Sequence, residues 1–173
     1  MRYAQAAKQS FSRNRMSKRL RLPKKVVKRR YVFKFKAPRL GHYTAVFTIR
    51  CVDDRFRRTF NKFIEHLHID HIDPKSPAGG AKVFASPDRK SAREHYLQEI
   101  KKSIALHQVR RILLFTHSDC QAYGGLGRFR RNAEEEFNFH VRELQKAKKV
   151  VKKKFPRLKV ETYFINWKGV ART

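Results

Sequence analysis

Apolar and polar positions follow two different periods along residues 41–173. Short apolar, β-branched runs indicate buried strands, and segments with apolar residues at every third or fourth position indicate helices. The runs predict strands at residues 44–50, 81–85, 111–116 and 158–165. The helical pattern predicts helices at residues 54–68, 86–107 and 132–155. This alternation predicts an α/β fold with a mainly parallel four-stranded sheet and helices on both faces.

The first forty residues follow neither pattern over most of their length. They hold 15 Lys and Arg residues and no Asp or Glu, with too little periodic apolar surface to fold alone. Aromatic residues alternate at Tyr31, Phe33 and Phe35, which predicts an edge strand at residues 31–36. The chain therefore divides into a basic N-terminal arm, residues 1–40, and an α/β domain, residues 41–173.

Charge is the most unusual property of the composition. The chain has 43 Lys and Arg residues against 14 Asp and Glu residues, a formal net charge of +29. Such an excess excludes an ordinary neutral enzyme surface and predicts attraction to a polyanion such as RNA, DNA or a ribosome. The candidate polyanion-binding residues of the arm are Arg13, Arg15, Lys18, Arg19, Lys24, Lys25, Lys28, Arg29 and Arg30.

Cysteine usage and hydropathy bear on the compartment. Two cysteines cannot form a disulfide framework, and no apolar run approaches the roughly 20 residues that cross a bilayer. We therefore expect no transmembrane segment and an intracellular, cytoplasmic protein. Residues 1–30 are rich in Arg, Lys and Ser and lack acidic residues, so a cleaved organellar presequence is the alternative.

Metal-ligating side chains come at the ends of two predicted strands. Cys51 follows the strand at residues 44–50, and His117 and Cys120 follow the strand at residues 111–116. Carboxyl ends of neighbouring parallel strands meet at one sheet edge, so two thiolates and an imidazole can converge there as ligands for zinc. Asp53 could supply a fourth ligand, or Arg55 could hold it away in a bidentate ion pair. The alternative is two small buried cysteines without a metal.

The two segments Cys51-Val-Asp53-Asp-Arg55 and His117-Ser-Asp-Cys120 resemble the signature of the β-class carbonic anhydrases. The resemblance covers about residues 41–170. It implies Zn²⁺ bound by the two cysteines and the histidine, and a catalytic dyad of Asp53 and Arg55. It further implies hydration of carbon dioxide to bicarbonate and a homodimer.

Two features depart from the pattern of that family. Its members usually carry an Arg-Asn-Ala-Gly-Gly stretch after the second strand, whereas Gly79 and Gly80 here precede the predicted strand at residues 81–85. Gln121 stands where a glycine commonly follows the second cysteine ligand. Both departures concern the pocket rather than the proposed ligands.

Two other polar clusters have simpler interpretations. The run His66, His68, Asp70, His71 and Asp73 is either a second metal site or proton shuttle, or a polar cluster in a loop without function. Residues 134–136 are three glutamates at a predicted helix start, where acidic side chains stabilise the helix dipole.

The sequence thus supports two functional hypotheses. The first is a zinc-dependent carbonic anhydrase whose basic arm binds a polyanion. The alternative is an anhydrase fold that acts as a basic structural protein associated with RNA, a ribosome or DNA, with a non-catalytic zinc site. The complete set of ligands with Asp53 and Arg55 favours the enzyme, because a structural role gives no reason for the Asp–Arg pair.

Overall fold

A computed structural model describes residues 31–37, 39, 41 and 43–173. The chain divides into two units, Met1–Arg39 and Leu40–Thr173, and the basic arm residues from Arg13 to Arg30 lie outside the described residues. Residues 31–37 contain no strand, so the predicted edge strand at 31–36 is wrong. An alternating pattern forms a strand only where a neighbouring strand pairs with it.

The second unit contains one mixed five-stranded sheet. Its strands are β1 (Val46–Ile49), β2 (Ile72–Lys75), β3 (Arg111–His117), β4 (Lys159–Asn166) and β5 (Gly169–Arg172). The order across the sheet is β2-β1-β3-β4-β5. The first four strands are parallel, and β5 pairs antiparallel with β4. The predicted α/β fold with a mainly parallel sheet is confirmed, with five strands instead of four.

Four α-helices cover the sheet. They are α1 (Arg57–His66), α2 (Lys82–Ala85), α3 (Lys90–His107) and α4 (Ala133–Lys154). One core cluster packs residues of α2, α3 and α4 on one face of the sheet, and a second packs residues of α1 on the other. Among the described residues no helix is both long and apolar enough to span a membrane.

Side-chain alternation along the strands divides the core between these two faces. In β1, Val46 belongs to the cluster with α1, and Phe47 belongs to the cluster with α2, α3 and α4. In β3, Leu113 belongs to the cluster with α1, and Leu114 belongs to the cluster with α2, α3 and α4. Because both faces of the sheet are packed against apolar side chains, successive residues of a central parallel strand are all apolar, as the sequence pattern indicated.

The predicted strand at residues 81–85 is wrong, because these residues form α2. Val83 and Phe84 are buried in the core. A short buried segment is apolar at every position whether it is a helix turn or a strand, so its sequence pattern does not distinguish the two. The true second strand, β2, was missed. It has only four residues, includes Pro74 and lies at the sheet edge, where proline is tolerated because one side of the strand makes no ladder bonds.

The observed position of the second strand accounts for part of one departure from the family pattern, since the glycine pair is in place but Ser76 and Pro77 stand where the pattern has Arg-Asn. Gly79 and Gly80 follow β2 and precede α2, so the glycine pair comes after the second strand, as in the β-class pattern. Residues 81–85, which the apolar pattern predicts as the second strand, are the helix that follows the glycine pair.

Candidate metal centre

Three predicted ligand side chains meet at the carboxyl edge of the sheet. Cys51 follows β1, His117 is the last residue of β3, and Cys120 lies three residues beyond. Because β1 and β3 are adjacent parallel strands, both chain segments leave the sheet at the same edge. One ligand atom from each residue lies within 4.8 Å of the other two, and all three residues are buried.

The glycine pair after β2 closes one side of this centre. The backbone N–H of Gly79 donates a hydrogen bond to Cys51 Sγ over 3.2 Å, an arrangement that stabilises a thiolate. Gly80 has φ +58°, and a Cβ at this position would lie 2.9 Å from the backbone nitrogen of Cys51 and against the carbonyl oxygen of Phe115. Only glycine allows this close approach of the loop to the ends of β1 and β3.

The orientation of His117 suits a metal ligand. Its Nδ1 lies 2.8 Å from the carbonyl oxygen of Ser118, so Nδ1–H donates and Nε2 is left as the acceptor or ligand atom. His117 Nε2 is buried and has no hydrogen-bond partner among the described residues. A buried nitrogen without a partner beside two cysteines is accounted for when a metal ion occupies the centre.

The two sulfur atoms are spaced as a tetrahedral metal site requires. Cys51 Sγ and Cys120 Sγ lie 4.0 Å apart. Two metal–sulfur bonds of about 2.3 Å at a tetrahedral angle place their sulfurs about 3.8 Å apart. The donor set of two sulfurs and one imidazole nitrogen therefore fits a metal ion of the zinc type in both chemistry and spacing.

The protein without a metal favours one thiolate in this pair. The hydrogen bond with Cys120, with smaller contributions from His117 and the backbone N–H groups of Asp53 and Gly79, lowers the pKa of Cys51 despite its burial. The same hydrogen bond, together with burial, raises the pKa of the Cys120 thiol. Cys51 is thus the first sulfur ready to bind a cation, and binding at Cys120 requires release of its proton.

Asp53 lies beside the centre and is held by Arg55. The Arg55 guanidinium donates from Nε to Asp53 Oδ2 over 3.0 Å and from Nη2 to the same oxygen over 2.7 Å, and the Arg55 backbone N–H donates to Oδ1 over 3.0 Å. These bonds lower the pKa of Asp53 to about 2. Asp53 Oδ2 lies 3.9 Å from His117 Nε2, so the carboxylate borders the ligand atoms while both its oxygens bind Arg55.

Asp119 is a member of this arrangement that the sequence interpretation missed. Arg55 Nη1 donates to Asp119 Oδ2 over 3.0 Å, and Nη2 donates to the Asp119 carbonyl oxygen over 3.0 Å. Asp119 itself has φ +54°, an uncommon conformation for a residue with a side chain. The position of Asp119 between two predicted ligands in His117-Ser-Asp-Cys120 was visible, but nothing in the spacing indicated a partner 64 residues away.

Glu136 anchors the same loop from α4. Its side chain is 1% exposed, and it accepts hydrogen bonds from the Asp119 backbone N–H over 2.6 Å and from Ser118 Oγ over 2.8 Å. All three glutamates lie in the first turn of α4, as predicted, and the backbone N–H groups of the first two bind the Asn132 side chain at the helix cap. Glu136 has the additional role of holding the ligand loop, which the sequence did not indicate.

A small cavity adjoins the candidate ligands. The volume of this cavity is about 10 Å³, which is room for about one water molecule. Apolar side chains form much of its wall, and Asp53 and His117 supply polar atoms. Its apolar lining comes from Phe56, Phe60, Phe115 and Ile165.

The histidine run near the end of α1 is not part of a comparable cluster. Within the part of the chain that the structure describes, the group of at least three candidate ligand atoms is Cys51, His117 and Cys120. Asp73 instead pairs with Nδ1 of His107 at 2.8 Å. The second-metal interpretation of that run therefore finds no support.

Comparison with protein families assigns the chain on most of its length. A family model described as "Putative carbonic anhydrase" matches residues 42–172. The chain belongs to this carbonic anhydrase family. The match spans the α/β domain and all the residues that converge at the candidate metal centre, and it confirms the family resemblance carried by the two short motifs.

Two relatives of this carbonic anhydrase family member are described as uncharacterized proteins. An uncharacterized protein of Rickettsia bellii (strain RML369-C) is 30% identical over 128 residues, which cover 70% of this chain and 76% of the relative. An uncharacterized protein of Rickettsia conorii is 30% identical over 125 residues, covering 70% of this chain and 67% of the relative. A crystal structure of a β-carbonic anhydrase from Aspergillus fumigatus is similar with a TM-score of 0.42 and 15% identity, over 77% of this chain and 76% of that chain.

Proposed function

We propose that this protein is a zinc-dependent carbonic anhydrase that interconverts carbon dioxide and bicarbonate. The observation that carries the proposal is the Asp53–Arg55 pair beside the three ligand atoms, since Asp53 Oδ2 lies 3.9 Å from His117 Nε2. A purely structural metal site needs four fixed ligands and no held carboxylate at its border. Membership of the family supports the same reaction.

Cys51, His117 and Cys120 would hold the zinc ion, with the imidazole bound through Nε2. When bound, zinc lowers the pKa of a water ligand from 15.7 to about 7 and so supplies a nucleophile near neutral pH. The ligand set leaves the fourth position open as long as Asp53 stays with Arg55. The hydrogen bonds from the Arg55 guanidinium and backbone N–H to the Asp53 carboxylate favour that arrangement.

Asp53 would orient the nucleophile. Because its pKa is lowered to about 2 by Arg55, the carboxylate stays ionised and can only accept hydrogen bonds. It therefore accepts one from the attacking water, which directs an oxygen lone pair toward the carbon of carbon dioxide. Addition of the oxygen gives bicarbonate, and the proton lost from water passes to the solvent.

Arg55 is a positioning residue for this step. Its guanidinium bridges Asp53 and Asp119 with bonds of 2.7 and 3.0 Å, so the carboxylate has one orientation. The apolar wall formed by Phe56 and Ile165 suits carbon dioxide, which carries no charge and makes few hydrogen bonds.

The test measures zinc content and carbon dioxide hydration on the same preparations. Full-length protein purified at high salt should carry about one zinc ion per chain and hydrate carbon dioxide in a stopped-flow indicator assay. Asp53→Asn should keep the zinc ion and lose activity about 100-fold or more, since the amide no longer accepts and orients in the same way. Cys51→Ser should lose both zinc and activity.

Asp54 provides a matched control. It is adjacent in sequence, its side chain is 74% exposed, and it pairs with Arg57 rather than Arg55. Asp54→Asn removes the same charge and should leave activity unchanged. Stoichiometric zinc without hydration above the buffer rate would contradict the proposal and favour the non-catalytic alternative, and loss of zinc in Asp53→Asn would assign Asp53 as a fourth ligand instead.

A further inference from the structure

A second cleft lies beside the turn that follows Cys120. It has a volume of about 460 Å³ and is formed by α2, the turn Gln121–Tyr123 and α4. Its lining includes three residues with cationic side chains and one with a carboxylate, together with a serine and a tyrosine. These residues are Lys82, Arg128, Lys146, Glu143, Ser86 and Tyr123.

The one carboxylate of the cleft is already satisfied. Glu143 is 3% exposed, and its Oε2 accepts a short hydrogen bond from Ser86 Oγ. Its Oε1 accepts from Lys146 Nζ over 3.0 Å. Both oxygens and the charge of Glu143 are thus compensated by the protein, so the carboxylate offers little to a cation in the cleft.

Donors, in contrast, remain in excess. Tyr123 is 5% exposed, and its hydroxyl has no hydrogen-bond partner among the described residues. Arg128 uses Nη1 for the Tyr123 carbonyl oxygen over 3.1 Å and makes no ion pair within the described part of the chain. Its guanidinium carbon lies 4.5 Å from the centre of the Phe139 ring, which holds the cation at the cleft wall.

Lys82 adds a further positive charge at the same place. Its Nζ lies 5.8 Å from the centre of the Tyr123 ring and donates to the Ser86 carbonyl oxygen over 2.9 Å and to the exposed Asp88. An ammonium group has three donors, so one remains. Within the described residues the cleft therefore combines a buried hydroxyl without a partner, an arginine without an ion pair and a lysine, and its one carboxylate is already bound by Ser86 and Lys146.

A buried hydroxyl that makes no hydrogen bond destabilises the folded protein. A ligand rich in acceptors removes that destabilisation and also meets the two cations. We propose that this cleft binds a small oxyanion, such as a phosphate or carboxylate group, with Tyr123 Oη and the Arg128 guanidinium as its donors and Lys82 as an additional positive charge. None of the three candidate metal ligands lines the cleft, although Tyr123 packs in one buried cluster with Cys51 and Cys120, and the proposal does not depend on carbon dioxide hydration.

The test titrates the full-length protein with inorganic phosphate and, separately, with acetate, by isothermal calorimetry. About 0.3 M sodium chloride screens the general attraction of anions to a strongly basic chain. One saturable site per chain is expected for one of the two anions, and the preferred anion identifies the ligand group as phosphate or carboxylate. Tyr123→Phe should raise the Kd about 3- to 10-fold, and Arg128→Gln about 10-fold or more.

Arg130 supplies the matched control, because it is exposed, lies two residues from Arg128 and does not line the cleft. Arg130→Gln makes the same charge change and should leave the Kd within about twofold. Equal weakening in both arginine variants would show a general charge effect and overturn the proposal. Absence of a saturable site for both anions in the wild-type protein, or an unchanged Kd in Tyr123→Phe and Arg128→Gln, would overturn it as well.

Discussion

His140 is a buried histidine whose two ring nitrogens make no hydrogen bond with any described residue. Its ring packs against three aromatic rings, those of Tyr123, Phe139 and Phe164, at 4.9 to 5.5 Å between centres. Burial, with a smaller effect of His117, lowers its pKa to about 4. The imidazole is therefore neutral in the folded protein across the physiological range, and its role is packing.

This burial makes stability depend on pH. In the unfolded chain His140 has an ordinary pKa of about 6.5, so between the two values the unfolded state binds a proton that the folded state does not. Stability is complete above about pH 7 and falls as the pH falls toward 4. At pH 5 the contribution of this one group amounts to a loss of about 2 kcal/mol relative to pH 7.

Replacement of the ring tests this prediction. His140→Phe keeps an aromatic ring among aromatic neighbours and removes the titrating group, so urea unfolding at pH 7 and pH 5 should show a drop in stability smaller by about 2 kcal/mol than in the wild type. His95→Gln, at an exposed position of α3, serves as the control and should keep the wild-type drop. The same drop in His140→Phe as in the wild type would show that His140 titrates normally.

At the scale of elements, α4 does more than cover the sheet. Its first turn carries Glu136 to the loop between His117 and Cys120, and one carboxylate there binds both the Ser118 hydroxyl and the Asp119 backbone N–H. Ser118 in turn accepts the hydrogen bond of the His117 ring. The helix thus fixes the loop that carries two of the three candidate ligands.

Removal of the Glu136 carboxylate should weaken metal binding. Glu136→Ala leaves two buried donors without a partner and loosens the ligand loop, and outer contacts of this kind typically change metal affinity 10- to 100-fold. Competition with a chelator should show a zinc Kd higher by that factor, while Glu136→Gln, which keeps an acceptor for Asp119, should show a smaller change. Circular dichroism checks that both variants are folded.

Glu134→Ala is the matched control for this experiment. Glu134 lies on the same turn and is exposed, so its removal changes the helix start and the net charge but not the ligand loop. Equal zinc affinity in Glu136→Ala and Glu134→Ala would show that the loop is held without Glu136.

Elements with a long periodic pattern could be predicted from the sequence, and the short ones could not. The predicted helix at 132–155 agrees with α4, Ala133–Lys154. Its apolar stripe, its Asn132 cap and its acidic first and basic last turns all indicate the same helix. At residues 81–85 and in β2 only four or five residues are available, which is too few to separate a buried helix turn from a strand. There the fold is decided by tertiary pairing, which places Pro74 at a sheet edge.

In the candidate metal centre, the ligands could be predicted from the sequence, and the residues that support them could not. The positions of Cys51, His117 and Cys120 at strand ends sufficed to predict their convergence, because the topology of a parallel sheet brings such ends together. The supporting contacts of Asp119 and Glu136 come from other parts of the chain and have no local signature. Residue type identifies a glutamate at a helix start, but only the packed structure shows that Glu136 is buried against the ligand loop.

At the scale of the whole molecule, the candidate metal centre and the most basic segment lie in different parts of the sequence. The candidate site lies in residues 41–173, which hold 28 basic and 14 acidic residues, whereas residues 1–40 hold 15 basic residues and no acidic one. Half of the net charge therefore belongs to the arm. We propose that the arm binds a polyanion and that the domain contributes weaker, general attraction through the basic end of α4.

The salt dependence of RNA binding tests this division of charge. For single-stranded RNA the slope of log K against log salt changes by about 0.7 for each phosphate contact. Replacement of five arm residues by Gln, at Lys24, Lys25, Lys28, Arg29 and Arg30, should lower the slope by up to about 3.5 and weaken binding most strongly at low salt. Fluorescence anisotropy with a short labelled RNA at several salt concentrations measures both quantities.

An equal change of charge on α4 and just beyond it separates a binding arm from the effect of net charge alone. Five basic residues there make no ion pair with any other described residue, namely Lys148, Lys149, Lys153, Lys154 and Arg157. Their replacement by Gln removes the same charge and should lower the slope by about 1 or less, because phosphates that are not contacted release few counterions. Equal slopes for the two variants would show that only net charge matters, and absence of RNA binding by the wild-type protein would rule out a polyanion partner of this kind.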